Sequence, residues 1–450
     1  MKDIRIINYC VKGIKTLDEW ACLSFYKKSF TRNFSIQNYN LKGIYGANGA
    51  GKSAIIHSVK IFRSLLCDSS YLSNSIAQQE LRSLINKHLG YAEFKADYLV
   101  RYGSELRLYR YQIRLSKNSD DKFEIEAESL AVQNALSHND VFTEVYTVCR
   151  GAAEIRGRQD SFTARLIDST KNLLTFTSMP AAFMRGFKNA DGLLISESVL
   201  FEHLLYAVYF GYSLHVYLES GDDHADYYLD SILCNLALQD GDETRTALIG
   251  QRIKWDGIRP YEITDRPTSV IKPLFGAYEE QVGQLYEFLR IFKTDLQGIS
   301  IDKRENKDLY YCTLIMDYRE YSIDAEFEST GIKKLIRLYS LFKNMVNGEI
   351  VFIDELDSNL HDVYLCALLE YLKEYAKGQL CFTTHNIGPM DVLKKNKMSI
   401  DFLSVDHKVY SWKKNGNYSP SSLYKNGMIE GSPFNVDSMN FIRAFGAGGQ

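Results

Sequence analysis

Eight consecutive residues, Gly46-Ala47-Asn48-Gly49-Ala50-Gly51-Lys52-Ser53, fit the pattern G-x-x-x-x-G-K-[ST], and a stretch of that kind holds phosphate. Its glycines let the backbone curl until successive N–H groups point inward at the β- and γ-phosphates. Gly46, Asn48, Gly49 and Gly51 make the cradle, and a helix starting at its end adds the positive end of its dipole. Lys52 supplies a point charge to the phosphates and Ser53 a hydroxyl ligand for Mg²⁺. The plain alternative is a Gly-rich turn that binds nothing.

Three more groups of residues carry chemistry that such a loop would need. Ile350-Val351-Phe352-Ile353 is an apolar run ending in Asp354-Glu355, and Leu356-Asp357-Ser358-Asn359-Leu360-His361 follows directly. At the carboxyl end of a strand beside the phosphate loop, Asp354 can hold Mg²⁺ directly or through water, and Glu355 can take the proton of an attacking water. A second run, Gln379 to Thr383, ends in Thr384-His385-Asn386, where His385 can sense the γ-phosphate by hydrogen bonding. Glu328-Ser329-Thr330-Gly331 opens a helix that runs through Leu338, Leu341 and Phe342. Ser329 and Gly331 cannot reach their own loop's phosphates from a distant helix. In a head-to-tail dimer they can present a hydroxyl and N–H groups to the partner's γ-phosphate, with Asp357 at the seam. The bland readings are an exposed strand terminus for Asp354-Glu355 and a lone satisfied histidine for His385.

These groups need a scaffold that brings distant pieces of chain together. Leu41 to Tyr45 reads as the strand before the loop, and Ala54, Ile55, Ile56, Val59, Ile61 and Phe62 carry the helical spacing after it. Ile4 to Tyr9 and Trp20 to Tyr26 predict an opening β-layer, with Arg32 and Asn33 as candidate contacts for a base or as a surface turn. A helical run is expected from Glu80 to His88, then a hairpin from Glu93 to Leu115 turning at Gly103-Ser104. Ala277 to Phe292 returns to a helical period, Ile299 to Ile301 starts a strand, and Tyr310 to Met316 and Glu320 to Phe327 form a strand pair.

The middle of the chain separates into two signs of charge. Arg150, Arg156, Arg158, Arg165, Lys171, Arg185 and Lys188 face only Glu154, Asp160 and Asp168, whereas Asp191 to Glu243 has eleven acidic residues and no Lys or Arg. Either this is a solvated helical insert, or the two segments are docking surfaces for different partners. Asp222-Asp223-His224-Asp226 has metal-ligand chemistry or is a polar loop.

With 450 residues, 45% hydrophobic and 24% charged, the chain is expected to fold as a soluble α/β protein of one large domain plus a second part. The expected division is an N-terminal core part at 1–145, a mainly helical insertion at 146–294 and a C-terminal core part at 295–450. A net charge of −3 gives no global attraction to nucleic acid. Eight scattered cysteines without metal-ligand spacing fit a reducing cytoplasm best. Val199 to Leu218, interrupted by Glu202, His203 and His215, reads as a buried or interface helix rather than a membrane span.

Taken together, Gly46 to Ser53, Ser329-x-Gly331, Asp354-Glu355, Asp357 and His385 resemble the ATP-binding-cassette (ABC) ATPases, in the branch of structural-maintenance (SMC) and repair heads. About 275 residues separate the phosphate loop from Ser329, which implies a large insertion. The forms Glu-Ser-x-Gly-x-x-x-Leu, Ile-Asp-Glu-Leu-Asp-Ser-Asn-Leu-His and Tyr424-Lys-Asn-Gly-Met-Ile-Glu-Gly-Ser-Pro-Phe434 are more particularly similar to the overcoming-lysogenization-defect (OLD)-like ATPases of bacterial anti-phage defence. The resemblance covers residues 1–115 and 295–435. Only 65 residues follow His385, too few for the C-terminal Toprim nuclease that some members carry. The chain therefore resembles the nuclease-free subunits, first those of PARIS systems and then those of Septu and AbiL. That resemblance implies an ABC-type head with mixed β-sheet layers, ATP and Mg²⁺ as cofactors, and assembly through head-to-tail dimers or larger oligomers. It also implies a separately encoded effector of the Toprim nuclease type and a phage trigger protein. The glutamine that couples the γ-phosphate to the insertion in cassette ATPases is not identifiable, with Gln78, Gln79 and Gln112 as candidates. The alternative is a DNA-repair or chromosome-associated ATPase, to which an insertion without sustained heptads is poorly suited.

Overall fold

In the computed structural model the described residues are 3–27, 29–31, 34–102, 104–137, 141–157, 160–187, 199–218, 261–412, 418–430 and 432. In chain order the first part contains β1 (Asp3–Lys12), β2 (Ala21–Ser24), β3 (Leu41–Gly46), α1 (Lys52–Cys67), α2 (Ser75–Leu84), β4 (Tyr91–Tyr102), β5 (Glu105–Lys117), β6 (Phe123–Asn134), β7 (Thr143–Cys149) and β8 (Ala152–Ile155). There follow α3 (Ser161–Thr170), α4 (Met179–Phe187), α5 (Val199–Tyr212), β9 (Leu214–Tyr217), β10 (Thr268–Ile271), α6 (Phe275–Leu289), β11 (Leu296–Asn306), β12 (Leu309–Tyr318) and β13 (Ser322–Asp324). The last part contains α7 (Thr330–Asn347), β14 (Ile350–Ile353), α8 (Asp362–Tyr375), β15 (Gln379–Thr383), α9 (Gly388–Leu393), β16 (Ile400–Leu403), β17 (Val409–Ser411) and α10 (Pro420–Lys425).

The strands make three sheets. A six-stranded sheet runs β17-β16-β3-β15-β14-β9, parallel except for β17. A seven-stranded sheet runs β2-β1-β4-β5-β6-β7-β8 and is antiparallel throughout. The third is a small antiparallel sheet of β10-β12-β11, with β13 on β12. This is a mixed α/β architecture, as the sequence leads one to expect.

Side-chain period explains how the layers stack. β3, β14 and β15 are buried along their whole length, because both faces of the parallel sheet are covered. Successive residues serve opposite faces: Ile350 and Phe352 join the core containing α1, α5 and the seven-stranded sheet. Val351 and Ile353 join the core containing α7, α8 and α9. β5 instead alternates buried and more exposed positions, the mark of a sheet with one covered face. A further apolar cluster ties α6 and α7 to the small sheet.

Several expectations are corrected. The span 146–294 is not one helical insertion: β7 and β8 complete the seven-stranded sheet, α4 and α5 pack on α1, and β9 pairs with β14 as the edge of the phosphate-loop sheet. On the far side β10 pairs with β12 and α6 packs on α7. The acidity of 191–243 masked the short β9, which carries only four residues of strand signal. α2 begins five residues earlier than the helical run starting at Glu80, because Asn74 caps it by accepting from the Ile76 N–H at 2.8 Å. The expected strand Glu320–Phe327 is reduced to Ser322–Asp324 followed by a 3₁₀ turn. Cys10 and Cys22, expected to be free like the others, stand opposite each other in the β1–β2 register and are joined as a disulfide. The stretch Val199–Leu218 is a buried helix and then a strand, and no helix among the described residues is long and apolar enough to cross a membrane. Arg32, Asn33 and Asp222 to Asp226 lie outside the described residues.

Candidate functional site

The phosphate loop leaves β3 at Gly46 and enters α1 at Lys52. Gly49 and Gly51 take left-handed φ values of 80° and 107°, which side chains disfavour. A methyl group at Gly46 would overlap the carbonyl of Leu403 on β16, and one at Gly51 would come within 2.9 Å of Leu17. At Gly49 nothing lies within 4 Å, so one side of the loop is open. Lys52 is buried and its ammonium donates to the carbonyls of Gly46 (2.8 Å) and Ala47 (3.1 Å). Burial pulls its pKa down, and the charges of Asp354, Glu355 and Asp357 push it back up. All three carboxylates therefore face the loop lysine electrostatically. Ser53 sits in the first turn of α1, and His407 faces the Ala50 carbonyl at 2.9 Å.

The sheet order differs from a simple adjacency. β15 lies between the loop strand β3 and the carboxylate strand β14, so Asp354-Glu355 is one strand removed from the loop rather than beside it. What joins the two is Thr383 at the end of β15. Its hydroxyl donates to Asp354 Oδ1 at 2.6 Å and accepts from the Glu355 N–H at 2.7 Å. One buried hydroxyl thus fixes both the metal-ligand candidate and the backbone of the general-base candidate. Asp354 is only 2% exposed, and its own N–H donates to the Tyr217 carbonyl of β9 at 2.9 Å. Glu355 adopts φ 48°, a left-handed backbone that costs energy for any residue other than glycine. It is held there by Thr383 and by Lys334, whose ammonium donates to the Glu355 carbonyl at 2.6 Å.

His385 follows β15 and is exposed, with its N–H 3.3 and 3.4 Å from the two Asp357 carboxylate oxygens. The chain end of β15 and the turn after β14 are therefore joined. Ser329 caps α7 by accepting from the Ile332 N–H at 3.4 Å. Gly331 packs against the Asn359 carbonyl so closely that a methyl group would lie 2.7 Å from it. Lys334 reaches Ser358 as well as Glu355. The first turn of α7 is thus built onto the Asp357–Asn359 turn of its own subunit, while Ser329 and Thr330 remain exposed.

The coupling-glutamine candidates do not face the site. Gln78 is buried and its amide is used up by Leu72, Phe123 N–H and Phe123 carbonyl. Gln79 and Gln112 are exposed on α2 and β5. Sequence reasoning missed Thr383, although a threonine closing an apolar strand just before Thr384-His385 is a usable signal, and it missed Lys334 and β9, whose partners are remote in sequence.

The donor set suits a nucleotide with a magnesium ion. Ser53 and Asp354 are the two residues that would offer it oxygen ligands, since Mg²⁺ takes most of its octahedral shell from water and phosphate rather than from an all-protein cage. Among the described residues no group of three or more His, Cys, Asp or Glu is placed to hold a metal ion.

Residues 286–391, from α6 to the start of α9, match the family described as AAA domain, putative AbiEii toxin, Type IV TA system. That matched stretch holds Ser329, Asp354, Glu355, Asp357, Thr383 and His385, and the phosphate loop lies outside it, in the N-terminal part. None of the curated proteins matches the chain. Among solved structures, the chain is similar to the recombination mediator protein RecF of the RecFOR pathway. With the ligand named ATPrS the identity is 13%, the coverage 91% of this chain and 99% of that one, and the TM-score 0.40. With ATP the values are 11%, 92%, 100% and 0.37.

Proposed function

We propose that the chain is a Mg²⁺-dependent ATPase of the ABC class that acts as the sensor or regulatory subunit of a bacterial anti-phage system, an OLD-like, nuclease-free subunit of the PARIS kind. Hydrolysis is supported above all by one observation: a single Thr383 hydroxyl orients Asp354 and Glu355 together at the end of a sheet whose next strand opens into a glycine phosphate loop. Asp354 and Ser53 would hold the metal, which would supply positive charge to the phosphates. Lys52 binds the phosphates, Glu355 accepts the proton of the attacking water, and His385 meets the terminal phosphate from the end of β15.

The signature end supports action between subunits. Ser329 and Thr330 stand exposed at the N-terminus of an eighteen-residue helix, and a helix N-terminus with free N–H groups suits an anion brought by another chain. A head-to-tail homodimer, or a larger ring or stack of such dimers, gives each site its second half. The defence role rests on the resemblance of the motifs, and the matched family's description, which names a toxin–antitoxin system, fits a protein that restrains a separate effector. A Toprim-type nuclease is the proposed effector and a phage protein the proposed trigger.

The test compares two inactive variants. Lys52→Ala is expected to abolish nucleotide binding, and Glu355→Gln to keep binding, stop hydrolysis and trap an ATP-bound oligomer visible by size-exclusion chromatography. Wild-type turnover in Glu355→Gln would remove Glu355 as the base. Mixing Lys52→Ala with Gly331→Asp subunits should return part of the activity, because one composite site in the mixed dimer is intact. A verified mixed dimer without activity would place Ser329 and Gly331 outside the reaction. Co-purification with the product of a neighbouring reading frame tests the regulatory role, and its absence in the ATP-trapped state would count against it.

A further inference from the structure

The turn between β1 and β2 forms a wall of the phosphate loop that no motif announces. Gly13 has φ 83°, where a methyl group would overlap the Tyr91 carbonyl, and Lys15 has φ 49°. Both peptide groups of Lys15 are pinned: its N–H donates to the Leu84 carbonyl at 2.6 Å, and its carbonyl accepts from the buried Asn86 amide at 2.8 Å. Further bonds from Gly13 N–H to the Leu17 carbonyl (2.7 Å) and from Leu17 N–H to the Ile14 carbonyl (2.9 Å) close the turn. Ile14 and Leu17 are wholly buried, while Lys15 is exposed.

This turn sits against Gly51, the residue that immediately precedes Lys52. A methyl group at Gly51 would meet Leu17 Cδ2 at 2.9 Å and Thr16 Oγ1 at 3.3 Å. A lysine in left-handed backbone is disfavoured relative to a conformation it prefers, and glycine would suit the position better. Strain over-determined by this many bonds marks a position where the side chain matters. Burial lowers the Lys15 pKa and the charge of Asp354 raises it. His57, one helical turn beyond Ser53 on α1, is pushed down to about 4 by burial and then by the charges of Lys15 and Lys60. The turn that carries Lys15 thus packs on the residue before Lys52, and the charges of Lys15 and Asp354 act on one another.

We propose that Lys15 is a second phosphate-binding cation of the site, reaching the triphosphate of the bound nucleotide from the β1–β2 turn while Lys52 holds it from the loop. The proposal deepens the ATPase reading and rests on it. A nucleoside triphosphate brings several negative charges into a site where Asp354, Glu355 and Asp357 already add three, more than Lys52 and one Mg²⁺ together balance. A second cation on the side of Asp354 lowers that repulsion and favours the triphosphate over the diphosphate.

Three variants of the full chain test it: Lys15→Gly, which relieves the backbone and removes the charge, Lys15→Arg, which keeps the charge, and Lys52→Ala as control. Equilibrium binding of fluorescent ATP and ADP, melting temperature, and kcat and KM are measured for each. Lys15→Gly is expected to melt at or above the native temperature yet bind ATP about tenfold more weakly. Its ADP affinity should change less, and Lys15→Arg should recover most of the loss. Native ATP affinity in Lys15→Gly, beside a Lys52→Ala protein that no longer binds, would overturn the role of Lys15 alone. A parallel fall of melting temperature and of ATP and ADP affinity would also overturn it, because the turn would then act only through packing. Native binding in Lys52→Ala would take down the ATPase reading and this inference together.

Discussion

Two carboxylates in this molecule are equally buried, each 2% exposed, and they do opposite things. Asp354 ends a strand of the parallel sheet, takes one hydroxyl from Thr383, and faces the cation Lys52 across a glycine loop with an open side. Glu128 sits in mid-strand on β6. It accepts from the Tyr111 hydroxyl (3.0 Å), the Tyr146 hydroxyl (2.7 Å) and the Met179 N–H at the start of α4 (3.1 and 3.0 Å to its two oxygens). The pKa of Glu128 is pushed up to about 7, because burial outweighs those three donors. A buried acid is thus not in itself a site. What separates the two is the position at a strand end, cations aimed at it, and space for a ligand.

The comparison breaks most decisively at Asp354. Asp354→Asn keeps the size and the bond from Thr383 but removes the charge, and Mg²⁺-dependent hydrolysis is expected to fall by about two orders of magnitude or more, the scale of losing one preorganised electrostatic group. Nucleotide binding without Mg²⁺ should change by no more than a few-fold. Steady-state turnover with and without Mg²⁺ checks this. Turnover within a few-fold of native would make Asp354 a structural tie of the same kind as Glu128.

Thr383→Val sharpens it. The substitution is isosteric but leaves the Glu355 N–H without its acceptor and Asp354 without its donor, at a cost of about 1–3 kcal/mol for the buried group left unmade. A fall of about tenfold in kcat with a smaller change in KM is expected, as positioning errors of this kind act on the reacting geometry. Thr383→Ser should restore both values. If the valine variant loses stability but keeps kcat, the hydroxyl braces the sheet without orienting the acids.

Asp354, Glu355, Lys52 and the glycine loop were legible in the sequence because each motif is local: a strand, a turn and a helix start within a dozen residues. Their mutual placement was only partly legible. That β15 lies between β3 and β14 follows from sheet order, which no local pattern encodes. The edge strand β9 was lost in a segment whose charge dominated its reading, although Tyr217 accepts the Asp354 N–H. The turn that carries Lys15 bears no motif, and its contact with Gly51 is made by Thr16 and Leu17, residues remote from it in sequence. Gln78 was a candidate for coupling on residue type alone, but a buried amide must find partners, and it found them in Leu72 and Phe123. Glu128 carried no motif at all, being one of several acids on an alternating strand.

The smallest expected effect concerns Glu128 and reads out in stability. Its native pKa of about 7 lies above the ordinary carboxylate value near 4.5, so the folded state holds a proton that the unfolded chain releases between those two pH values. The contribution is therefore fully present below about pH 4.5, is lost as pH rises through about 7, and is flat above that. At about 1.4 kcal/mol per pKa unit the loss is at most about 3.5 kcal/mol. Glu128→Gln is neutral at every pH and nearly isosteric, so it should lack this decline. Denaturation midpoints of both proteins at pH 5, 6, 7 and 8 are expected to diverge, with the variant gaining on the native protein as pH rises. Parallel profiles would mean that the two tyrosines and the α4 N–H fully offset the burial of a charged carboxylate. The distinction between Glu128 and Asp354 would then rest on strand position, cations and open space alone.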